Sequence, residues 1–147
     1  MSTEIRKAIK KDKDWILEIF SLNKVILGGK GYGALQWKRF WENEKLNEHW
    51  IVIENIAFCH YLCRFKDDVN VIYEIATHND YKRKGYGKKI VEYIGKPIEL
   101  KTDYDSGESN NFYKSIGFKE NGTSLTKSNK KMQKYKLANP ENTLFGD

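Results

Sequence analysis

Positive charge and glycine are concentrated in one short segment, KRKGYGKK, at residues 82–89. The segment lies between an apolar run that is typical of a strand and a run that is typical of a helix. The first N–H groups of a helix have no internal partner, and the helix dipole adds positive character there. Because Gly85 and Gly87 lack a Cβ, the backbone can also approach a ligand closely. The segment therefore predicts an anion-binding site that suits a pyrophosphate group.

The spacing of these glycines excludes two common nucleotide-binding loops. A P-loop requires G-x-x-x-x-G-K-S/T, and the dinucleotide-binding loop requires G-x-G-x-x-G. Neither pattern occurs in the chain. Taken alone, the segment is also compatible with an ordinary basic helix start. The rest of the sequence is needed to choose between this interpretation and an anion-binding site.

One acidic side chain interrupts the apolar strand that precedes this segment. Glu74 lies within VNVIYEIAT, residues 69–77, where a carboxylate is unusual and could act as a general base, directly or through water. The alternative is a structural ion pair with Lys101 or another strand charge. Lys101 shares one strand face with Glu99 and Asp103, which predicts either a polar cleft wall or an internal ladder of ion pairs.

Strand-like and helix-like patterns in the rest of the chain place these residues in an α/β fold. Three consecutive runs rich in β-branched and aromatic residues, with turns at Asn55 and at 66–68, predict an antiparallel meander. The later strand–helix–strand unit requires a right-handed crossover, so strands 71–77 and 97–103 are expected to be parallel neighbours. The predicted strands are residues 3–9, 49–55, 56–65, 69–77, 97–103, 118–122 and 131–137, and the predicted helices are 10–23, 34–46, 87–95 and 107–117, with a glycine-rich loop at 26–33.

Length and composition predict one domain over residues 1–147, with 138–147 as a loose tail. The chain is 39% apolar, and its net charge of +6 suits either a polyanionic partner or simply a soluble surface. No apolar run reaches the roughly 20 residues of a membrane span, and the N-terminus lacks a signal-peptide core, so a cytoplasmic protein is expected. Cys59 and Cys63 have the spacing of neither a zinc site nor a redox pair, so no metal is expected. Monomer and homodimer both remain open.

Two segments resemble the signatures of one enzyme family. IYEIATHNDYKRKGYGKKIVEYI resembles the acyl-CoA-binding segment of the GNAT superfamily of N-acyltransferases, where an apolar strand is followed by Q/R-x-x-G-x-G/A and a helix. Here Lys82 stands where Arg or Gln is usual. NNFYKSIGF resembles the family's second signature, an aromatic-Tyr-x-x-x-Gly-Phe segment. The two occur in the family's order, and the predicted elements match over about residues 4–137.

The resemblance implies the GNAT fold, a mixed and mostly antiparallel sheet of six or seven strands that splays at the cofactor site and is flanked by about four helices. It also implies acetyl-CoA as the cofactor and no metal. In the family, loop amides hold the pyrophosphate, and the pantetheine arm pairs with the edge of the preceding strand. Carried over to this chain, the cofactor-binding residues are Ile75, Ala76, Thr77, Lys82, Arg83, Lys84, Gly85, Tyr86, Gly87, Lys88 and Asn110.

The same resemblance implies direct transfer of an acetyl group to an amine. Tyr113 matches the family position of the general acid that protonates the leaving thiolate, although it could instead be a packed helix aromatic. Glu74 is the candidate base, since it lies on the strand that should face the cleft.

The acceptor is expected near the first two helices, and the candidate residues are Tyr32, Trp37, Lys38 and Lys101. Aromatic residues interleaved with basic ones suit nucleic acid, but Trp37 could equally belong to the core. Three functions remain open at this point. The chain could acetylate an amine on a small molecule or a protein, modify a nucleic-acid base as some GNAT-fold proteins of bacteriophages do, or bind acyl-CoA without catalysis.

Overall fold

The computed structural model describes residues 2–23, 29–43, 45–95 and 97–138, without the side chains of residues 29 and 30. The predicted tail at 138–147 therefore lies, apart from Ala138, outside the described residues. No helix in the described part of the chain is long and apolar enough to cross a membrane. The strands are β1 (Ile5–Lys7), β2 (Glu48–Ile53), β3 (Ala57–Arg64), β4 (Val69–Thr77), β5 (Ile98–Asp103), β6 (Lys119–Leu125) and β7 (Lys131–Leu137), and the helices are α1 (Lys13–Leu22), α2 (Gly29–Glu42), α3 (Tyr86–Ile94) and α4 (Gly107–Ser115).

The strands form one seven-stranded sheet in the order β1-β2-β3-β4-β5-β7-β6. Every pairing is antiparallel except the one between β4 and β5. This confirms the predicted meander, the parallel neighbours and the fold class. Asn55 and Asp68 take the positive φ angles of 62° and 57° that the turns between the meander strands require.

Two hydrophobic cores cover the two faces of the sheet. The α3–α4 core contains Ile90 and Val91 of α3, Tyr113 of α4 and Leu100 of β5. The α1–α2 core contains helix residues such as Phe20 packed on strand residues such as Trp50, Val52 and Phe58. In α1 and α3 the buried residues lie three and four apart on one face of the helix.

A β-bulge changes the register between β3 and β4. Tyr61 pairs with Ile72, but the next pair is His60 with Glu74, so Tyr73 has no opposite residue. Close to this point β4 also separates from β5, because their parallel pairing covers only three residue pairs and ends at Ile72 with Leu100. The C-terminal half of β4 therefore faces a gap in the sheet.

The prediction of a glycine-rich loop at 26–33 is wrong for residues 29–33, because α2 already begins at Gly29. Residues 26–28 lie outside the described residues. The predicted extension of this helix to residue 46 also fails, since α2 ends at Glu42. Low helix propensity is overridden here by packing, because Gly33 lies directly against the ring of Phe20 in α1.

Gly33→Ala should therefore destabilise the protein. A Cβ at residue 33 would lie 2.5 Å from Phe20 Cγ, whereas a Cβ at Gly31 would meet no atom within 4 Å. We expect Gly33→Ala to lower the free energy of unfolding by about 1–3 kcal/mol through overpacking. The control, Gly31→Ala, should raise it by up to about 1 kcal/mol through helix propensity. Chemical denaturation measures both, and equal effects of the two substitutions would contradict this account of α2.

Candidate functional site in two clefts

The first cleft, with a volume of about 1100 Å³, opens between the free half of β4, the start of α3 and the face of α4. It brings together most of the residues predicted to bind the cofactor. Those that line it are Ile75, Ala76, Thr77, Lys82, Arg83, Gly85, Tyr86, Gly87 and Lys88, together with Tyr113.

The N-terminus of α3 forms one end of this cleft. Gly85, the N-cap residue, has a φ of 85°, and no side chain caps the helix. The first N–H groups of the helix are thus directed toward the cleft, as in helix-terminal anion sites. Gly87 is buried against α4, where a Cβ would lie 2.6 Å from Phe112 Cζ. The close packing of α3 on α4 therefore depends on a glycine at residue 87.

The basic residues that precede this helix differ in what their side chains contact. Lys82 Nζ donates to Asn23 Oδ1 at 3.0 Å and to Glu108 Oε1 at 3.1 Å, and so spans the mouth of the cleft. Arg83 holds a strained φ of 65°, which is uncommon for a residue with a Cβ. Lys84 Nζ lies 5.7 Å from the centre of the Tyr81 ring, and Lys84 does not line the cleft.

Tyr113 lies at the inner wall of the first cleft. Its ring packs against Phe112, Phe118 and Tyr135, with centroids 5.2–5.6 Å apart. Burial raises the pKa of Tyr113 well above its usual value, with smaller contributions from Cys59 and Tyr135. The phenol therefore keeps its proton at neutral pH.

Asn110 has a different position from the one that cofactor binding would need. Its side-chain amide donates to the backbone oxygens of Asp103, Tyr104 and Ser106, and its Oδ1 accepts from the Tyr135 hydroxyl. The bonds to Asp103 and Tyr135 fasten the start of α4 to β5 and β7. Asn111, the next residue, lines the cleft instead.

A second cleft of about 540 Å³ lies on the α1–α2 side of the sheet. Its lining residues are Tyr32, Gln36, Arg39, Asn43, Lys45, Glu48, His60, Leu62 and Tyr73. At its base, His60 Nδ1 is 2.7 Å from Glu74 Oε2 and His60 Nε2 is 2.6 Å from Glu48 Oε2. The side chains of His60 and Glu74 are 3% and 2% exposed, and that of Glu48 is 14% exposed. We refer to these residues as the Glu48–His60–Glu74 triad.

The second oxygen of the buried Glu74 carboxylate, Oε1, has no hydrogen-bond partner in the described part of the chain. The Tyr32 hydroxyl lies close to the Glu74 carboxylate. Burial raises the pKa of Tyr32 to about 12, with smaller contributions from the charge of Glu74 and from hydrogen bonding to its carboxylate. Glu74 therefore has one oxygen engaged by His60 and a second that is buried, and Glu74 itself is not among the residues that line the second cleft.

Of the residues predicted to bind the acceptor, Tyr32 alone lines the second cleft. Trp37 is 4% exposed and packs edge-on against Trp50, so it is part of the α1–α2 core. Lys38 is exposed and lies 3.8 Å from Glu42 on the same helix. Lys101 is exposed on β5 and lines neither cleft. The ladder alternative for β5 is not seen either, because Glu99 pairs with Arg64 and Asp103 with Lys130.

Sequence reasoning missed His60 and Glu48, and it proposed Lys101 rather than His60 as the partner of Glu74. The turn predicted at Asn55 could have located His60 and Glu48 in part. This turn sets the register of β2 and β3, which pairs Trp50 with His60, and Glu48 lies on the same strand face as Trp50. The bulge at Tyr73, which adds Glu74 to that face, has no sequence signal of its own. No group of three or more His, Cys, Asp or Glu side chains in the described ranges could hold a metal ion.

Solved structures of similar fold support the assignment of the architecture. A GNAT-family protein of Desulfovibrio desulfuricans is 12% identical and has a TM-score of 0.76, with 92% of this chain and 98% of that one covered. Spermidine N-acetyltransferase SpeG of Vibrio cholerae is 11% identical, with a TM-score of 0.71 and 92% and 94% covered. The protein yncA of Salmonella typhimurium, solved with its cofactor acetyl-CoA, is 14% identical, with a TM-score of 0.67 and 92% of each chain covered.

Sequence comparison identifies the family independently of the fold. No curated protein matches the sequence significantly. The family model described as an acetyltransferase (GNAT) domain matches residues 46–120, which run from the meander through the basic loop to β6 and so include both signatures. The chain belongs to the GNAT acetyltransferase family.

Proposed function

We propose that this acetyltransferase moves an acetyl group from acetyl-CoA directly to an amine. The observation that carries the proposal is the first cleft, in which the unpaired half of β4 leads to the uncapped N-terminus of α3. A similar fold holds acetyl-CoA in yncA, and a similar fold acts on the amine spermidine in SpeG.

The cleft supports one orientation of acetyl-CoA. The pyrophosphate binds the backbone amides of residues 83–88, with Lys82 and Lys88 adding charge. The pantetheine arm lies along Ile75 to Thr77, where its amides replace the missing neighbour strand of β4. The thioester then lies at the inner wall, close to Tyr113.

The reaction on this geometry needs one proton acceptor and one proton donor. A neutral amine nitrogen attacks the thioester carbonyl, the C–S bond breaks, and the thiolate of CoA leaves. Tyr113 is the proposed donor to the thiolate, since it lines the inner wall of the first cleft. Glu74 is the proposed acceptor of the amine proton, through Oε1, the oxygen that His60 does not contact. A nucleic-acid acceptor has less support, because Trp37 is buried in the core and cannot stack on a base.

Reversing one charge at the start of α3 should weaken acetyl-CoA binding. Lys88 lines the first cleft, while the adjacent Lys89 lies outside it and bonds the Thr3 carbonyl. We expect Lys88→Glu to weaken binding at least about tenfold, or about 1.4 kcal/mol. Isothermal titration calorimetry measures this, with Lys89→Glu as the control that changes net charge equally. A carboxylate in the first helical turn favours the helix, so Lys88→Glu should fold. Equal affinity of the two variants for acetyl-CoA would contradict the proposed position of the pyrophosphate.

Tyr113→Phe should slow transfer without loosening the cofactor. Removal of a general acid typically costs about 10²–10⁴-fold in turnover, whereas the phenyl ring preserves the packing against Phe118. Release of CoA thiol from acetyl-CoA, with benzylamine as acceptor and with water alone as baseline, measures turnover. Tyr93→Phe, which removes an exposed hydroxyl of α3, is the matched control and should behave as wild type. Wild-type turnover in the Tyr113 variant would leave Tyr113 a packing residue only.

A further inference from the structure

Half of one sheet face lies outside the α1–α2 core. In the described part of the chain, that core contains strand residues of β2, β3 and β4 but none of β5, β6 or β7. Leu100 lies opposite Tyr135, and both belong to the α3–α4 core. Because side chains alternate along a strand, the neighbouring pair of Lys101 and Lys134 faces the uncovered side. Four lysines lie on this side, and we refer to them as the lysine patch: Lys101 of β5, Lys134 and Lys136 of β7, and Lys119 of β6.

The lysine patch places like charges directly opposite each other. Lys101 pairs in register with Lys134, and Lys119 pairs with Lys136. The Cβ atoms of opposite residues are about 5 Å apart, and like charges in such positions destabilise a sheet. Residues two apart on one strand are about 7 Å apart, so the four ammonium groups start from adjacent points of the sheet. A surface that only has to be soluble does not require this arrangement, since it can intersperse charges of both signs.

The carboxylates on the same face do not neutralise the lysine patch. Glu99 lies opposite Lys136, but its Oε2 is 3.2 Å from a nitrogen of Arg64. Asp103 Oδ2 is 3.1 Å from Lys130 Nζ. Within the described ranges, no member of the patch has an ion-pair partner. Positive charge therefore remains on this face for a partner molecule.

The residue types on this face favour phosphate groups over carboxylates as the partner's charges. Lysine binds as a compact point charge, which suits phosphate, whereas the guanidinium fork of arginine also matches a carboxylate. Arg64 already contacts the carboxylates of Asp67 and Glu99. An extended acidic peptide presents a side chain to one face only about every 7 Å. Duplex DNA has one negative charge about every 1.7 Å along its axis, so it can meet several closely spaced lysines at once.

We propose that the lysine patch is a docking surface for a nucleic-acid duplex, which it contacts through the phosphate backbone. A single strand is less suited, because single-strand sites stack bases on exposed aromatic rings. Tyr135, the one aromatic residue in the sequences of β5, β6 and β7, is 1% exposed and belongs to the α3–α4 core. The patch lines neither cleft, so docking requires no nucleobase to enter the site of acetyl transfer. The inference thus goes beyond the proposed function and does not depend on it.

The experiment measures binding of a short labelled DNA duplex by fluorescence anisotropy as salt is raised from about 50 to 200 mM. Each phosphate contact contributes about −0.9 to the slope of log affinity against log salt. Four contacts therefore predict a slope of about −3.6 and a loss of affinity of about 150-fold over this range. In Lys134→Gln with Lys136→Gln, two contacts remain, and the loss should be about 12-fold. This variant should fold, because the substitutions remove charges that repel their neighbours, and its melting temperature should not fall.

Two matched variants separate the lysine patch from the net charge of the protein. Lys11→Gln with Lys13→Gln removes an equal charge at the start of α1, which follows β1 at the opposite edge of the sheet. This control should keep the wild-type slope. Lys134→Arg with Lys136→Arg retains the charge of the patch and should keep the wild-type slope as well, because contacts to backbone phosphates depend on charge.

Three results would overturn the inference. The first is no binding at about 50 mM salt with protein at about 100 µM, since non-specific DNA binding has dissociation constants of about 10⁻⁴ to 10⁻⁶ M even at physiological salt. The second is a wild-type slope in Lys134→Gln with Lys136→Gln, which would place the duplex on other cations such as the basic loop before α3. The third is displacement of the labelled duplex by poly-glutamate of equal charge as effectively as by unlabelled duplex, which would indicate an acidic protein as the partner. None of these measurements involves acetyl-CoA, so their outcome is separate from that of the proposed function.

Discussion

The position of a single extra residue in β4 determines where the reactive side chains of this protein point. Before the bulge Tyr61 pairs with Ile72, and an unbroken register would place Glu74 opposite Cys59 in the α3–α4 core. A carboxylate buried there among apolar side chains would be costly. The unpaired Tyr73 shifts Glu74 onto His60 instead, so the same carboxylate is buried beside an imidazole.

The bulge has a second effect on the same strand. Bulges increase the local twist of a strand, and here β4 separates from β5 directly after Ile72. The gap that results is the floor of the first cleft, while the shifted face of β4 forms the base of the second. The bulge in β4 thus shapes both clefts, and neither cleft would have this form if the register of β3 and β4 were regular.

Local signals were sufficient for most of the fold and for part of the site. Turn residues such as Asn55 and the basic loop before α3 are short-range features, so pattern and family resemblance located the meander and the first cleft. The start of α2 was mispredicted because the contact between Gly33 and Phe20 is a tertiary one. The partners of Glu74 were missed because a one-residue bulge reverses the facing of every later side chain, and no residue type marks its position.

The glycines of α2 affect how substitutions in the α1–α2 core change the shape of the second cleft. Gly29, Gly31 and Gly33 each cost a helix about 1 kcal/mol relative to alanine, so its first turn contributes little stability of its own. That turn is held by Phe20 and carries Tyr32, which makes one wall of the second cleft an extension of the α1–α2 core. Substitutions in that core can reshape this wall, whereas α3 rests on a separate core on the opposite face. Substitutions confined to the α1–α2 core therefore act first on the wall of the second cleft, whereas a change at the bulge of β4 acts on both faces of the sheet.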